Sequence, residues 1–163
     1  MKKYLLISLL TVLFISCASD DDAPQDTNTD PIVGSWSPEK HVSIYADGTE
    51  VEESISNCEQ IDTFEFLANG EFSITLHFDY GSGCEVEINT LEGNWSKIDD
   101  SSYAVYGKIF YDGDVTDTET FSITYIVSFP QTNVMYLYDE EYLSYLQEED
   151  EDLVSFYIHL NKN

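Results

Sequence analysis

The chain has 163 residues, with 32 Asp plus Glu against 6 Lys plus Arg and a formal net charge of −26; all six cations are lysines. Without cations to displace counterions from phosphates, a nucleic-acid partner is excluded, and anionic substrates gripped by arginine forks are disfavoured. From Ile32 to Asn163 there is one domain's worth of sequence, enough for a single core. At the N-terminus, Lys2 and Lys3 precede a run, Tyr4 to Ile15, that is apolar except for Ser8 and Thr11. As a helix this run rises only about 18 Å, short of the roughly 30 Å hydrocarbon core, so it does not read as a membrane span. Positive start, short apolar stretch and small residue before a cut site predict a secretory signal over residues 1–16.

Ser16 directly precedes Cys17, after Leu13, Phe14 and Ile15. This pattern resembles a bacterial lipobox, in which the signal is removed and the cysteine becomes a lipidated N-terminus. Phe14 departs from the leucine such motifs usually carry. The resemblance implies membrane attachment through a lipid on Cys17. Residues 17–31 then form the anchor and a tether: positions 18–31, "ASDDDAPQDTNTDP", hold five Asp, two Pro and no large apolar side chain. Such a stretch cannot bury enough surface to offset the entropy of ordering. Ser19, Asp20, Asp21 and Asp22 are either a solvated spacer or, as they are similar to the export signal of surface lipoproteins in Bacteroidota, an address. The second implies outer-membrane anchoring facing the cell surface, with the periplasmic face as the alternative.

The remainder predicts strands throughout, being rich in Tyr, Phe, Val, Ile and Thr, with turn signals every ten residues or so. "EFSITLHF" alternates, putting Phe72, Ile74, Leu76 and Phe78 on one face. "TFSITYIVSF" does so with Phe121, Ile123, Tyr125, Val127 and Phe129, and "LVSFYIHL" with Val154, Phe156, Ile158 and Leu160. Turns are expected at 46–48, 68–70, 81–83, 99–102, 112–114 and 130–133. The result is all-β, an antiparallel meander of about 8–9 strands. Residues 138–152, "YDEEYLSYLQEEDED", fit either a short helix bearing Tyr142, Leu143 and Leu146 or a solvated hairpin.

A three-residue loop at Ala68, Asn69 and Gly70 pairs Phe66 with Phe72 and Phe64 with Ile74, keeping one apolar face, whereas a two-residue turn would mix the faces. With Cys17 lipidated, Cys58 and Cys84 remain as a pair, and in an oxidising envelope compartment a disulfide is the default. Zinc is the alternative, but no histidine lies close in sequence to either. The same register would hold the two cysteines about 9.5 Å apart in regular ladders, too wide for a bond that spans under about 7 Å between Cα atoms. Either the Cys58 segment curls over a strand end or the register is wrong.

"IVGSW" at 32–36, following directly on the tether, resembles the opening Gly-x-Trp motif of lipocalins, with Gly34 and Trp36 in the motif positions. With the lipobox, the acidic tether, the central hairpin and two cysteines, the layout is similar to lipocalin-like domain lipoproteins of Bacteroidota. The resemblance implies that the meander closes into a small lipocalin-like barrel over residues 32–163 with Trp36 plugging its closed end. It also implies an arginine over that tryptophan; the chain has none, and Lys162 is the candidate substitute. "GNWS" at 93–96 echoes "GSWS" at 34–37, and Trp95 reads as a core or plug residue.

Chemistry-bearing patterns are sparse. His41, His77 and His159 are scattered, no Gly-x-Ser-x-Gly elbow frames a nucleophile, and with this many acids a carboxylate pair carries no specificity. "DGDVTD" (112–117) matches a calcium loop only at Asp112 and Asp114. No catalytic or metal-ligating residue and no cofactor are therefore assigned, and the chain reads as a non-enzyme. The expectation is an envelope binder of one small apolar ligand, whose contact residues are not legible. The alternative is a fully packed barrel serving as a structural or protein-interaction module; no protein partner is identified.

Overall fold

The computed structural model describes residues 29–81 and 83–163; Cys17, Ser19 and Asp20–Asp22 lie outside them. Nine strands follow in chain order: β1 Gly34–Tyr45, β2 Glu50–Ser54, β3 Thr63–Phe66, β4 Phe72–Asp79, β5 Cys84–Lys97, β6 Ser102–Tyr111, β7 Thr118–Gln131, β8 Val134–Asp139 and β9 Leu153–Lys162. A 3-10 turn at Glu59–Ile61 precedes β3, and one helix, α1 Glu140–Gln147, joins β8 to β9. The neighbour order is β2-β1-β3-β4-β5-β6-β7-β8-β9, and β9 pairs back onto β1. Every pairing is antiparallel, so eight strands close a small lipocalin-like barrel and β2 lies outside it. Among the described residues, the β1–β9 pairing closes the barrel, and the short β2 is the strand left at an edge.

The ninth strand has a local cause. β3 meets β1 only at Gly34–Trp36, leaving the far half of β1 free, and β2 pairs there from Lys40↔Ser54 to Ile44↔Glu50. β3 pairs β4 with Phe66↔Phe72 and Phe64↔Ile74, the register of the three-residue loop. Gly70 closes that loop at φ +89°, where a Cβ would be strained.

Inward phases fill the interior. On β7 they run Phe121, Ile123, Tyr125, Val127 and Phe129, as the alternation predicts. On β9 the expected phase breaks: Ile44 pairs Ser155 and Tyr45 pairs Leu153, so Val154 is a bulge residue, left 48% exposed while Leu153 is buried. Phe78 also departs from expectation. The extra residue of this pairing, Glu87, lies on β5 opposite the step from Leu76 to His77, so Phe78 keeps its phase; it is nonetheless 52% exposed, its ring 5.1 Å from that of Tyr80. For residues 138–152 the helix is formed. Asp139 caps it, accepting from the Glu141 and Tyr142 N–H groups at 3.0 Å each.

The closed end is packed solid. Trp36 has no exposed surface, and its Nε1 donates to the Ile32 carbonyl at 2.8 Å. Gly34 sits at φ +148°, and a Cβ there would come within 2.4 Å of the Lys162 Cε. The glycine thus lets the Lys162 chain lie across the motif. Its Nζ stands 5.0 Å from the Trp36 ring centroid and donates to the Val33 carbonyl at 2.6 Å. Trp95 is half-buried beside this plug, its Nε1 donating to the Leu67 carbonyl at 2.8 Å and its ring 5.9 Å from that of Tyr103. Gly93 belongs to a different device from Gly34. It lies in a bulge of β5 where a Cβ would come within 2.2 Å of the Phe72 carbonyl oxygen.

Asp30, in the stretch read as tether, has its carboxylate held by the barrel. Its carboxylate accepts from the Tyr103 hydroxyl at 2.7 Å and the Ile32 N–H at 3.2 Å, and pairs with Lys97 at 3.2 Å. Burial pushes its carboxyl upward, but these donors together outweigh that and hold it below the usual value of 3.8. A group held low in the folded state contributes stability that is present above that usual value and is lost as pH falls through the folded value. Asp30→Asn is therefore expected to cost about 1–2 kcal/mol at pH 7, with the difference from the parent smaller at pH 3. Urea melts at both pH values check this; a constant difference would contradict it.

Candidate ligand-binding site at the open end

At the opposite end the interior is not filled. A cavity of about 260 Å³ opens between β1, β3, β4, β7, β8 and β9. Its apolar walls come from inward phases: Phe64 of β3, Ile74 and Leu76 of β4, Leu137 of β8, and Phe156 and Ile158 of β9. An engineered apolar cavity of about 150 Å³ accommodates benzene, so this space suits a small ligand with a ring or short chain.

The disulfide shapes the rim. Cys58 and Cys84 are bonded, with Cα atoms 5.1 Å apart. The ladder geometry that made them too distant does not apply, because β3 begins only at Thr63 and residues 55–62 curl across the strand end. This curl carries Glu59 and Asp62 to the cavity. Glu59 is tied back to its own loop, accepting from the Ser56 N–H at 2.7 Å.

Asp62 is the one buried charged side chain among the described residues, 5% exposed. Its Oδ1 accepts from the backbone N–H of His77 at 2.7 Å and lies 3.0 Å from the His77 Nδ1. A side-chain oxygen thereby serves the His77 N–H just outside the β3–β4 ladder, before β3 begins at Thr63. Burial pushes the Asp62 carboxyl above the usual carboxylate range, against the pull of both His77 contacts. Oδ2 has no hydrogen-bond partner among the described residues.

Tyr125 faces the same cavity, 7% exposed, and its hydroxyl likewise lacks a partner among the described residues. Burial, and then the Asp139 carboxylate, push its phenol far up, so it remains protonated. Tyr125 and Asp139 are direct cross-strand partners, which places both side chains on one face. Asp139 is occupied by capping α1, and α1 sets Tyr142 edge-on against Phe156 at 5.4 Å. His41 packs on the same ring, also at 5.4 Å, with its Nε2 3.9 Å from Glu59. Glu59, Asp62 and Asp139 thus edge the cavity, and no lysine does.

Of the motif residues, Gly34 and Trp36 lie at the closed end, and Cys58 and Cys84 at the open end. The three histidines are dispersed: His41 lines the cavity, His77 holds Asp62, and His159 is on the outer wall, edge-on to Tyr136 at 5.3 Å. Among the described residues no group of three or more His, Cys, Asp or Glu is arranged to hold a metal ion. Tyr125 and Asp62 escaped sequence reasoning. A polar-tipped residue in an otherwise apolar inward phase could have flagged Tyr125. Nothing could have flagged Asp62, since its role depends on where β3 begins.

Fold and site together define a closed eight-stranded antiparallel barrel with a packed floor and an apolar mouth edged by carboxylates. Comparison with protein-family models, with curated proteins and with solved structures finds no match to this chain.

Proposed function

We propose that this protein is a lipid-anchored, lipocalin-like binding module of the cell envelope that holds one small, largely apolar ligand without chemically changing it. The observation that carries this reading is the mouth cavity, walled by Phe64, Ile74, Leu76 and Phe156 over a plugged floor. A fully packed barrel acting as a structural module would leave no such space. Anchoring through Cys17 rests on the lipobox-like "FISC", and surface display on the Ser19–Asp22 stretch.

Native mass spectrometry of the protein purified from its own membranes tests both halves. A chain beginning at diacylated Cys17, with a co-purifying small molecule or uptake of the neutral fluorophore N-phenyl-1-naphthylamine, is the expected result. A chain without the lipid mass overturns the anchor. Absence of both a co-purifying molecule and fluorophore uptake overturns the binder. Replacing Asp20–Asp22 with alanine should leave the lipid in place and reduce protease accessibility on whole cells; unchanged accessibility overturns the address.

A further inference from the structure

We propose that the ligand is a small organic amine, a protonated ammonium on an aromatic or short aliphatic body. This rests on the reading of the cavity as a ligand site and names what it selects. The decisive feature is two polar atoms, each on a side chain more than nine-tenths buried, that face one cavity and reach its solvent with no protein partner among the described residues. Asp62 is 95% removed from solvent, and its Oδ1 takes both His77 contacts while Oδ2 takes none among the described residues. The Tyr125 hydroxyl, on a side chain equally enclosed, also goes unpaired among them. Deep polar groups seek hydrogen bonds, so these two, open only toward the cavity, are placed to be met by whatever fills it.

The character of the two atoms defines that partner. A carboxylate oxygen only accepts, so the ligand must donate to Asp62. A phenol both donates and accepts, so Tyr125 can take a second ligand N–H. Charge then separates an ammonium from a neutral donor. Three carboxylates edge the cavity with no lysine among its lining residues, and the other two already serve Ser56 and the α1 cap. A buried carboxylate is costly unless a cation or several donors compensate it, and an ammonium supplies both. Aromatic faces at Phe64, Phe156 and Tyr142 suit the organic body and attract a cation at short range. A divalent metal ion fits poorly, since calcium wants six to eight oxygens and one free carboxylate oxygen with one phenol falls far short. Carboxylate ligands such as fatty acids are repelled by the same groups.

The test uses three isosteric probes on the intact mature protein: 2-phenylethylamine, 2-phenylethanol and phenylacetate, titrated calorimetrically at pH 7. The amine is expected to bind at least about tenfold tighter than the alcohol, and phenylacetate to give no saturable heat. Equal affinity for amine and alcohol overturns the amine inference and leaves the apolar binder standing. So does uptake of N-phenyl-1-naphthylamine with none of the three probes bound. If neither probe nor fluorophore binds, both readings fall. Asp62→Asn keeps an acceptor for His77 and should bring the amine down to the level of the alcohol; a retained amine preference in the folded variant overturns the role of Asp62. Tyr125→Phe, a milder change to the fold, should weaken the amine about three- to tenfold, and unchanged affinity removes Tyr125 from the site.

Discussion

Replacing Trp36 with alanine is expected to destabilise the barrel by about 3–5 kcal/mol, a large share of the stability of a domain this size. Three losses combine. The indole is wholly enclosed at the closed end, so its removal leaves a cavity that eight hydrogen-bonded strands cannot readily collapse. The Ile32 carbonyl loses the donor it holds at 2.8 Å. Lys162 loses the ring over which its ammonium sits. Trp36→Phe keeps much of the volume but not the N–H donor, and should cost less than half as much. Urea denaturation followed by tyrosine fluorescence and far-UV dichroism measures both. A cost for Trp36→Ala below about 1 kcal/mol would show that the plug is dispensable.

Opening the Cys58–Cys84 bond should have the next largest effect. The cysteines are 26 residues apart, which gives about 3.5 kcal/mol of stabilisation from the restricted unfolded chain. The consequence also has a location. Residues 55–62 leave the sheet, and Cys58 bonds their curl to the start of β5. Their remaining ties to β4 include the two His77 contacts of Asp62. A Cys58→Ala/Cys84→Ala protein should therefore exchange the His77 amide proton faster while the Trp36 end stays protected. Probe binding at the mouth should weaken with it. Hydrogen exchange resolved by residue would decide the point; uniform loss of protection along the barrel would refute a local role for the bond.

Much of the fold was legible because strand alternation is a local property. "TFSITYIVSF" puts five residues on one face whatever surrounds it, and hairpin closure at Ala68–Gly70 follows from keeping Phe64, Phe66, Phe72 and Ile74 together. Such rules stop where the chain departs from the pleat. The bulge that turns Val154 outward depends on how β9 must follow β1 around a closed barrel, a demand absent from the local pattern. Asp30, read as tether for its neighbours' composition, is claimed by Tyr103, a residue 73 positions away.

The candidate site was the least readable part. An aspartate between "EQI" and "TFEF" is unremarkable in a chain with 32 acids. It becomes buried, half-satisfied and cavity-facing only because β3 begins at Thr63 and a disulfide folds the preceding loop across the mouth. By itself, the sequence determined an acidic, all-β chain, because composition, alternation and turn chemistry act over a few residues, while a tryptophan at the barrel floor was implied by the resemblance of "IVGSW" to the lipocalin motif. Only the tertiary structure decided that one end fills while the other stays open, and that Asp62 and Tyr125 face that opening. Those outcomes depend on where eight strands of unequal length begin and end around a closed ring, and no short stretch of sequence contains that information.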